Sequence, residues 1–90
     1  MNWGKPVAVA SPAIIVNIVT DFLVAQPSAE DIINFQLPES VQTRASELLA
    51  LNRQNSLSAS DRAEQEEFMR MEQFMTILKA KARLQLSKNA

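Results

Sequence analysis

Asp61, Glu64, Glu66 and Glu67 crowd into seven consecutive residues, and Lys79, Lys81, Arg83 and Lys88 crowd a stretch further on. Clustered carboxylates can hold a metal ion, and a basic run can meet phosphate or an acidic partner. Metal sites built on helices set Glu beside His at i, i+3, however, and this chain has no His. Cys is absent as well, which also excludes disulfides and leaves the redox compartment open. The usual zinc ligands, the side chain that titrates near neutrality and the thiol nucleophile are therefore all missing, which points away from an enzyme. The single Gly, at position 4, leaves no glycine-rich loop to cradle a phosphate. No catalytic residue, metal or cofactor is expected. Acid at the start and base at the end of one segment suits a helix dipole, at ~0.3–1 kcal/mol for each charge.

The element that must carry these charges is a long helix over Ser58 to Leu86. Ser58 is placed to cap it, with Asp61 three residues on completing a capping box. Phe68, Met71, Met75, Leu78 and Ala82 follow at spacings of three and four, which puts them on one stripe. About 28 residues at 1.5 Å each make a rod of roughly 42 Å. A compact chain of this size has a radius of gyration of about 12 Å and so a diameter near 30 Å. The helix overhangs its own domain, and a second chain is expected to cover the surplus. Phe68, Met71, Phe74, Met75 and Leu78 are the predicted apolar contact, with Lys79, Lys81 and Arg83 orienting an acidic partner. Met69, Met71 and Met75 add adaptable side chains. Ile77 and Leu84 fall nearly opposite the main stripe, would be exposed on a lone hairpin, and complete the predicted partner-binding set.

Upstream, Pro38 to Arg53 reads as a helix with Val41, Ala45, Leu48, Leu49 and Leu51 as its apolar side and Glu39, Arg44 and Glu47 on a solvated face. Asn52 to Ser56 is a polar turn, with Asn55 the expected left-handed residue. So short a connection predicts that the two helices pair antiparallel. Ser28 to Asp31 has capping-box spacing and predicts a short helical turn through Ile32, Ile33 and Phe35.

The segment from Val7 to Ala25 is apolar and admits two readings. Ser11 and Pro12 form a cap and first helical residue, favouring a helix to about Gln26. The run Ile14-Ile15-Val16 with Ile18-Val19 suits a buried strand equally. As a helix it gathers Asn17, Thr20 and Asp21 on a narrow face opposite Ile14, Ile15, Ile18, Val19, Phe22 and Leu23. The run is about as long as a membrane span, yet Pro12, Asn17, Thr20 and Asp21 interrupt it. Ala8-Val9-Ala10 matches a cleavage pattern, but too few apolar residues precede it for a signal peptide. Trp3, near the terminus, is expected to cover a core edge.

Ninety residues with both charge signs and 47% hydrophobic content describe one globular, helix-leaning domain of modest intrinsic stability. Its parts are an apolar segment over 1–27, a short turn and helix over 28–57, and the long helix over 58–90. A net charge of -1 exerts no general pull on nucleic acid or anionic lipid.

Ile33, Phe35 and Leu37 alternate before Pro38, so the stretch resembles the opening of ribbon-helix-helix repressors. There, two chains pair strands in the major groove, which would leave Asn34 and Gln36 to contact bases. That strand has no basic side chains here, and the following helices are too long for the pattern.

Ser28, Glu30, Ile32, Phe35, Leu37, Pro38, Glu39 and Gln42, with the cap from Leu57 to Asp61 and the tail from Ile77 to Arg83, carry a second resemblance. Over about 28–86 the chain is similar to small bacterial, notably cyanobacterial, antitoxin-like proteins. Relatives often have Gly where Asn55 stands and Thr-Pro at Ser58-Ala59. The resemblance implies a protein partner, a toxin or an HNH-type nuclease, and assigns no binding residues. The fold expected is all-α, a helical hairpin with a long C-terminal helix plus an apolar N-terminal helix. The function expected is a cytoplasmic, non-catalytic module that binds a partner protein through the long helix and also forms a homo-oligomer. A DNA-binding homodimer and a membrane-associated helical protein are the alternatives.

Overall fold

The computed structural model describes residues 12–88, and the described part is helical with no strand. Four helices follow in order, α1 (Pro12–Val24), α2 (Ala29–Ile33), α3 (Glu39–Arg53) and α4 (Ala59–Lys88). The readings of Trp3, of Ala8-Val9-Ala10 and of Ser11 as a cap lie outside the described residues.

Helix α4 is 30 residues long, roughly 45 Å at 1.5 Å per residue, and nearly spans the longest dimension of 48 Å. Through its thinnest direction the molecule measures only 18 Å, the depth of two helices side by side. The long helix is thus the floor, with the other helices laid on one side of it. Helices α1 and α2 pack on it more extensively than α3 does.

The first segment is a helix because Ile15, Val19, Phe22 and Leu23 recur at helical spacing. Ile15 and Val19 are buried with Met75 of α4, and Phe22 and Leu23 pack against that cluster. The polar face falls where the pattern places it, with Asn17, Thr20 and Asp21 exposed. Thr20 Oγ1 donates to the Val16 carbonyl at 2.8 Å. α1 ends earlier than its apolar pattern, because Gln26 adopts φ 57° and its N–H turns back to the Leu23 carbonyl at 3.0 Å. No described helix is long and apolar enough to cross a membrane.

Both capping boxes form. The Asp31 N–H donates to Ser28 Oγ at 3.1 Å while the Ser28 N–H donates to the Asp31 carboxylate at 3.2 Å. The Asp61 N–H and Ser58 Oγ repeat the motif at 3.0 Å, answered by the Ser58 N–H on the Asp61 carboxylate at 3.3 Å. At the end of α3, Asn55 takes φ 56°, the Ser56 N–H reaches the Leu51 carbonyl at 2.9 Å and the Asn55 N–H reaches that of Asn52 at 3.0 Å. This is a Schellman termination, as expected of Asn in that turn. Pro38 stands one position before α3 instead of opening it. Its ψ of 149° is extended, and its carbonyl accepts the Gln42 N–H at 3.1 Å.

One expectation is corrected. Arg44 does not lie on a solvated face, and Glu64 of the acidic cluster is buried against it. Glu64 is 3% exposed, and its carboxylate accepts Arg44 Nε at 3.2 and 3.0 Å and Nη2 at 2.9 Å. Arg44 Nη2 also donates to Asp61 at 2.9 Å, and Glu47 stands 3.5 Å from Nη1. One guanidinium therefore clamps α3 to the first two turns of α4. The pairing joins residues 17 and 20 positions apart, and helical spacing within either element carries no sign of it.

Candidate functional site

The ten residues predicted to bind a partner divide according to which side of α4 they occupy. Met75 is buried at 7% exposure against α1, and Phe68, Met71 and Leu78 pack on the same cluster. These four serve the interior first. Phe74, Ile77 and Leu84 remain 43%, 54% and 55% exposed, and Lys81 and Arg83 are exposed too. Lys79 is engaged within the chain. Its Nζ donates to the Phe35 carbonyl at 2.8 Å, binding the connection after α2 to α4. The Phe22 and Phe35 rings, 4.4 Å apart between centroids and inclined at 40°, brace that connection from α1.

Asn34 and Gln36 are exposed, while Phe35 and Leu37 turn inward onto the core cluster. The strand expected of a ribbon-helix-helix opening does not form: Ile33 ends α2, and Phe35 and Leu37 lie in an irregular connection that packs on α4. Gln42 Nε2 donates to the Leu37 carbonyl at 2.6 Å and holds the connection to α3.

A feature the sequence reading did not identify is a trough along α4. Because α3 packs near the beginning of α4 and α1 with the 35–37 connection packs further along, the two walls leave a gap between them. Three adjoining depressions occupy it, of about 460, 400 and 370 Å³. The first lies between Ile15, Phe35, Leu37, Met71 and Met75, with Lys79 at its edge. The second lies between Leu48 and Leu49 of α3 and Phe68 and Met69 of α4. The third, bordered by Met69, Gln73 and Thr76, joins them. Glu72 borders all three. From Gln65 to Lys79 the trough follows α4 for roughly 21 Å.

Its charge layout is simple. Glu72 stands at the middle and enters no salt bridge among the described residues. Lys79 and, one turn on at i+4, Arg83 mark the far end. The near end is closed by the Arg44 clamp. There the Ser58 N–H, with help from the Ser58 hydroxyl and the Arg44 guanidinium, holds the Asp61 carboxyl below the usual carboxylate range. The Glu64 carboxylate, followed by that of Asp61, raises Arg44 further above its already high value. No buried side-chain nitrogen or oxygen among the described residues lacks a hydrogen-bond partner. No group of three or more acidic side chains among them converges in a way that could hold a metal ion.

A trough lined by both apolar and polar side chains, with Glu72 at its centre, can receive an amphipathic segment, because Phe68, Met69, Met71 and Met75 offer its apolar side chains a floor and Glu72 selects a cation. Set against family models, curated proteins and solved structures, the chain finds no match.

Proposed function

We propose that this chain is a non-catalytic, antitoxin-like interaction module that holds an amphipathic helix of a partner protein in the trough along α4. The observation that carries the reading is the meeting of three depressions at Glu72 along one face of the long helix. A facing helix of about 15 residues fits the length of the trough at 1.5 Å per residue. Its apolar stripe would lie on Phe68, Met69, Met71 and Met75, a basic side chain would meet Glu72, and an acidic one would face Lys79 and Arg83. Methionines suit such a floor because their side chains adapt to different knobs. A toxin or nuclease whose surface is masked in this way is the partner class the reading favours.

The test is a native pull-down of the tagged chain from its source cells, run beside Glu72→Lys. A stoichiometric protein with the original chain, reduced at least about tenfold by the charge reversal, is the expected result, since a buried cation would then face a cation. Recovery of the chain with no other protein, or of a partner indifferent to Glu72→Lys, overturns the reading.

A further inference from the structure

We propose that the face of α4 that carries Ile77 and Leu84, turned away from the core, pairs antiparallel with the same face of a second copy of this chain, about a two-fold axis at Ile77. Three observations lead there.

The first is an apolar row that no described residue covers. Ile77, Ala80 and Leu84 recur at i, i+3 and i+7, the spacing of a helix–helix seam. Ile77 and Leu84 are more than half exposed, at 54% and 55%, whereas Met75 and Ala82 on the other side are buried at 7% and 4%. Phe74, at 43%, flanks the row.

Charge selects the occupant. Lys81 and Lys88, which flank the row, enter no salt bridge among the described residues, while Glu66 and Glu67 lie on the opposite side of Ile77 along the helix. A parallel pair would set Lys81 and Lys88 against their own copies. An antiparallel pair sets the basic half of one helix against the acidic half of the other. With Ile77 on Ile77, Leu84 lies across from Arg70 of the second copy and Lys88 from its Glu66. Arg70 can lay its aliphatic stem on Leu84, and its guanidinium already reaches Glu67 at 2.6 Å and Glu66 at 3.9 Å on its own helix. Lys88 then completes a charge row across the seam.

The third observation is geometric. The side chains of α4 that are buried, Glu64, Met75 and Ala82, share one side of the helix, so among the described residues the face with Ile77 and Leu84 is open. A two-fold interface uses the same patch twice and needs that patch to be self-complementary, which the acid-to-base gradient along α4 supplies. Ile77, Ala80 and Leu84 do not line the trough, so the pairing does not depend on the partner-helix reading.

The test uses the full chain, whose lack of cysteine makes single-cysteine variants unambiguous. Sedimentation over a concentration series should show a species of twice the 10.0 kDa chain mass. The short seam predicts a dissociation constant in the micromolar range, as for interfaces at the small end of the size classes. Ile77→Glu, at an exposed position, should keep the helical circular dichroism and weaken the dimer at least about tenfold. Ile77→Cys should cross-link to itself on mild oxidation. Leu84→Cys alone should not, but should cross-link to Arg70→Cys when the two are mixed. A chain that stays monomeric at all concentrations, a dimer unaffected by Ile77→Glu, or self-linking of Leu84→Cys would each overturn the proposal. Because Glu72→Lys reads out partner capture and Ile77→Glu reads out self-association, failure of either proposal leaves a distinct trace.

Discussion

Arg44 is the side chain on which the junction of α3 and α4 turns. Removing it leaves the Glu64 side chain at 3% exposure without its cation, the costly half of a buried ion pair. Arg44→Met should therefore lower the unfolding free energy by roughly 3 kcal/mol, while the double change Arg44→Met with Glu64→Met should recover most of that loss. Urea unfolding of the two variants beside the original chain measures both. Asp61 makes a pH-dependent contribution at the same junction. Its carboxyl is held below the ordinary range in the folded chain, so the unfolded state binds its proton first as pH falls. The stabilisation is complete above the unfolded value of about 3.9 and is lost as pH falls through the lower folded value. Asp61→Asn should accordingly be less stable than the original chain at pH 7, and the gap should narrow below about pH 4. Thermal unfolding across pH 2–7, roughly the span over which a carboxyl titrates, shows whether it does. The caps at Ser28 and Ser58 and the left-handed Asn55 were legible in the sequence because each is a local arrangement of three or four residues. The left-handed Gln26 was not, since no side-chain preference marks it and a residue before proline is ordinarily extended.

At the scale of elements, α4 is legible from its spacing because both its cap and its stripe lie within it. The ambiguity of α1 between helix and strand was real at the sequence level, since β-branched residues serve either. It is resolved by Met75, which gives Ile15 and Val19 one shared place to be buried. Helix α3 is the least anchored of the helices that flank the trough. Its buried apolar side chain is Leu48, apart from the cluster of Ile15, Val19 and Met75, and the Arg44 clamp is its other tie to α4. Such an element opens at lower free energy than the core it leans on. Native-state hydrogen exchange should find the amides of 42–53 exchanging before those of 71–82, and Arg44→Met should widen the difference. Equal protection of the two stretches would show that α3 unfolds only with the whole molecule. The looseness of α3 has a use if the trough is occupied, because a wall that can shift by a small amount admits helices with different side chains.

For the whole molecule, the chain's own order determined its class. Helical periodicity, two capping boxes and one polar turn specify an all-α chain with a long final helix, and each of these signals is written within a few neighbouring residues. The sequence also marked Ile77 and Leu84 as lying off the main stripe, a matter of angle around one helix, and they are exposed. What the tertiary structure alone decided is which faces remain open. Phe68, Met71, Met75 and Leu78 have the chemistry of a docking surface, and α1 with the 35–37 connection takes most of it for the interior. The Arg44 clamp and the trough around Glu72 arise where α1 and α3 settle at separate places on α4. Periodicity says which side chains share a face. It does not say which neighbour covers that face, because burial depends on where distant segments come to rest.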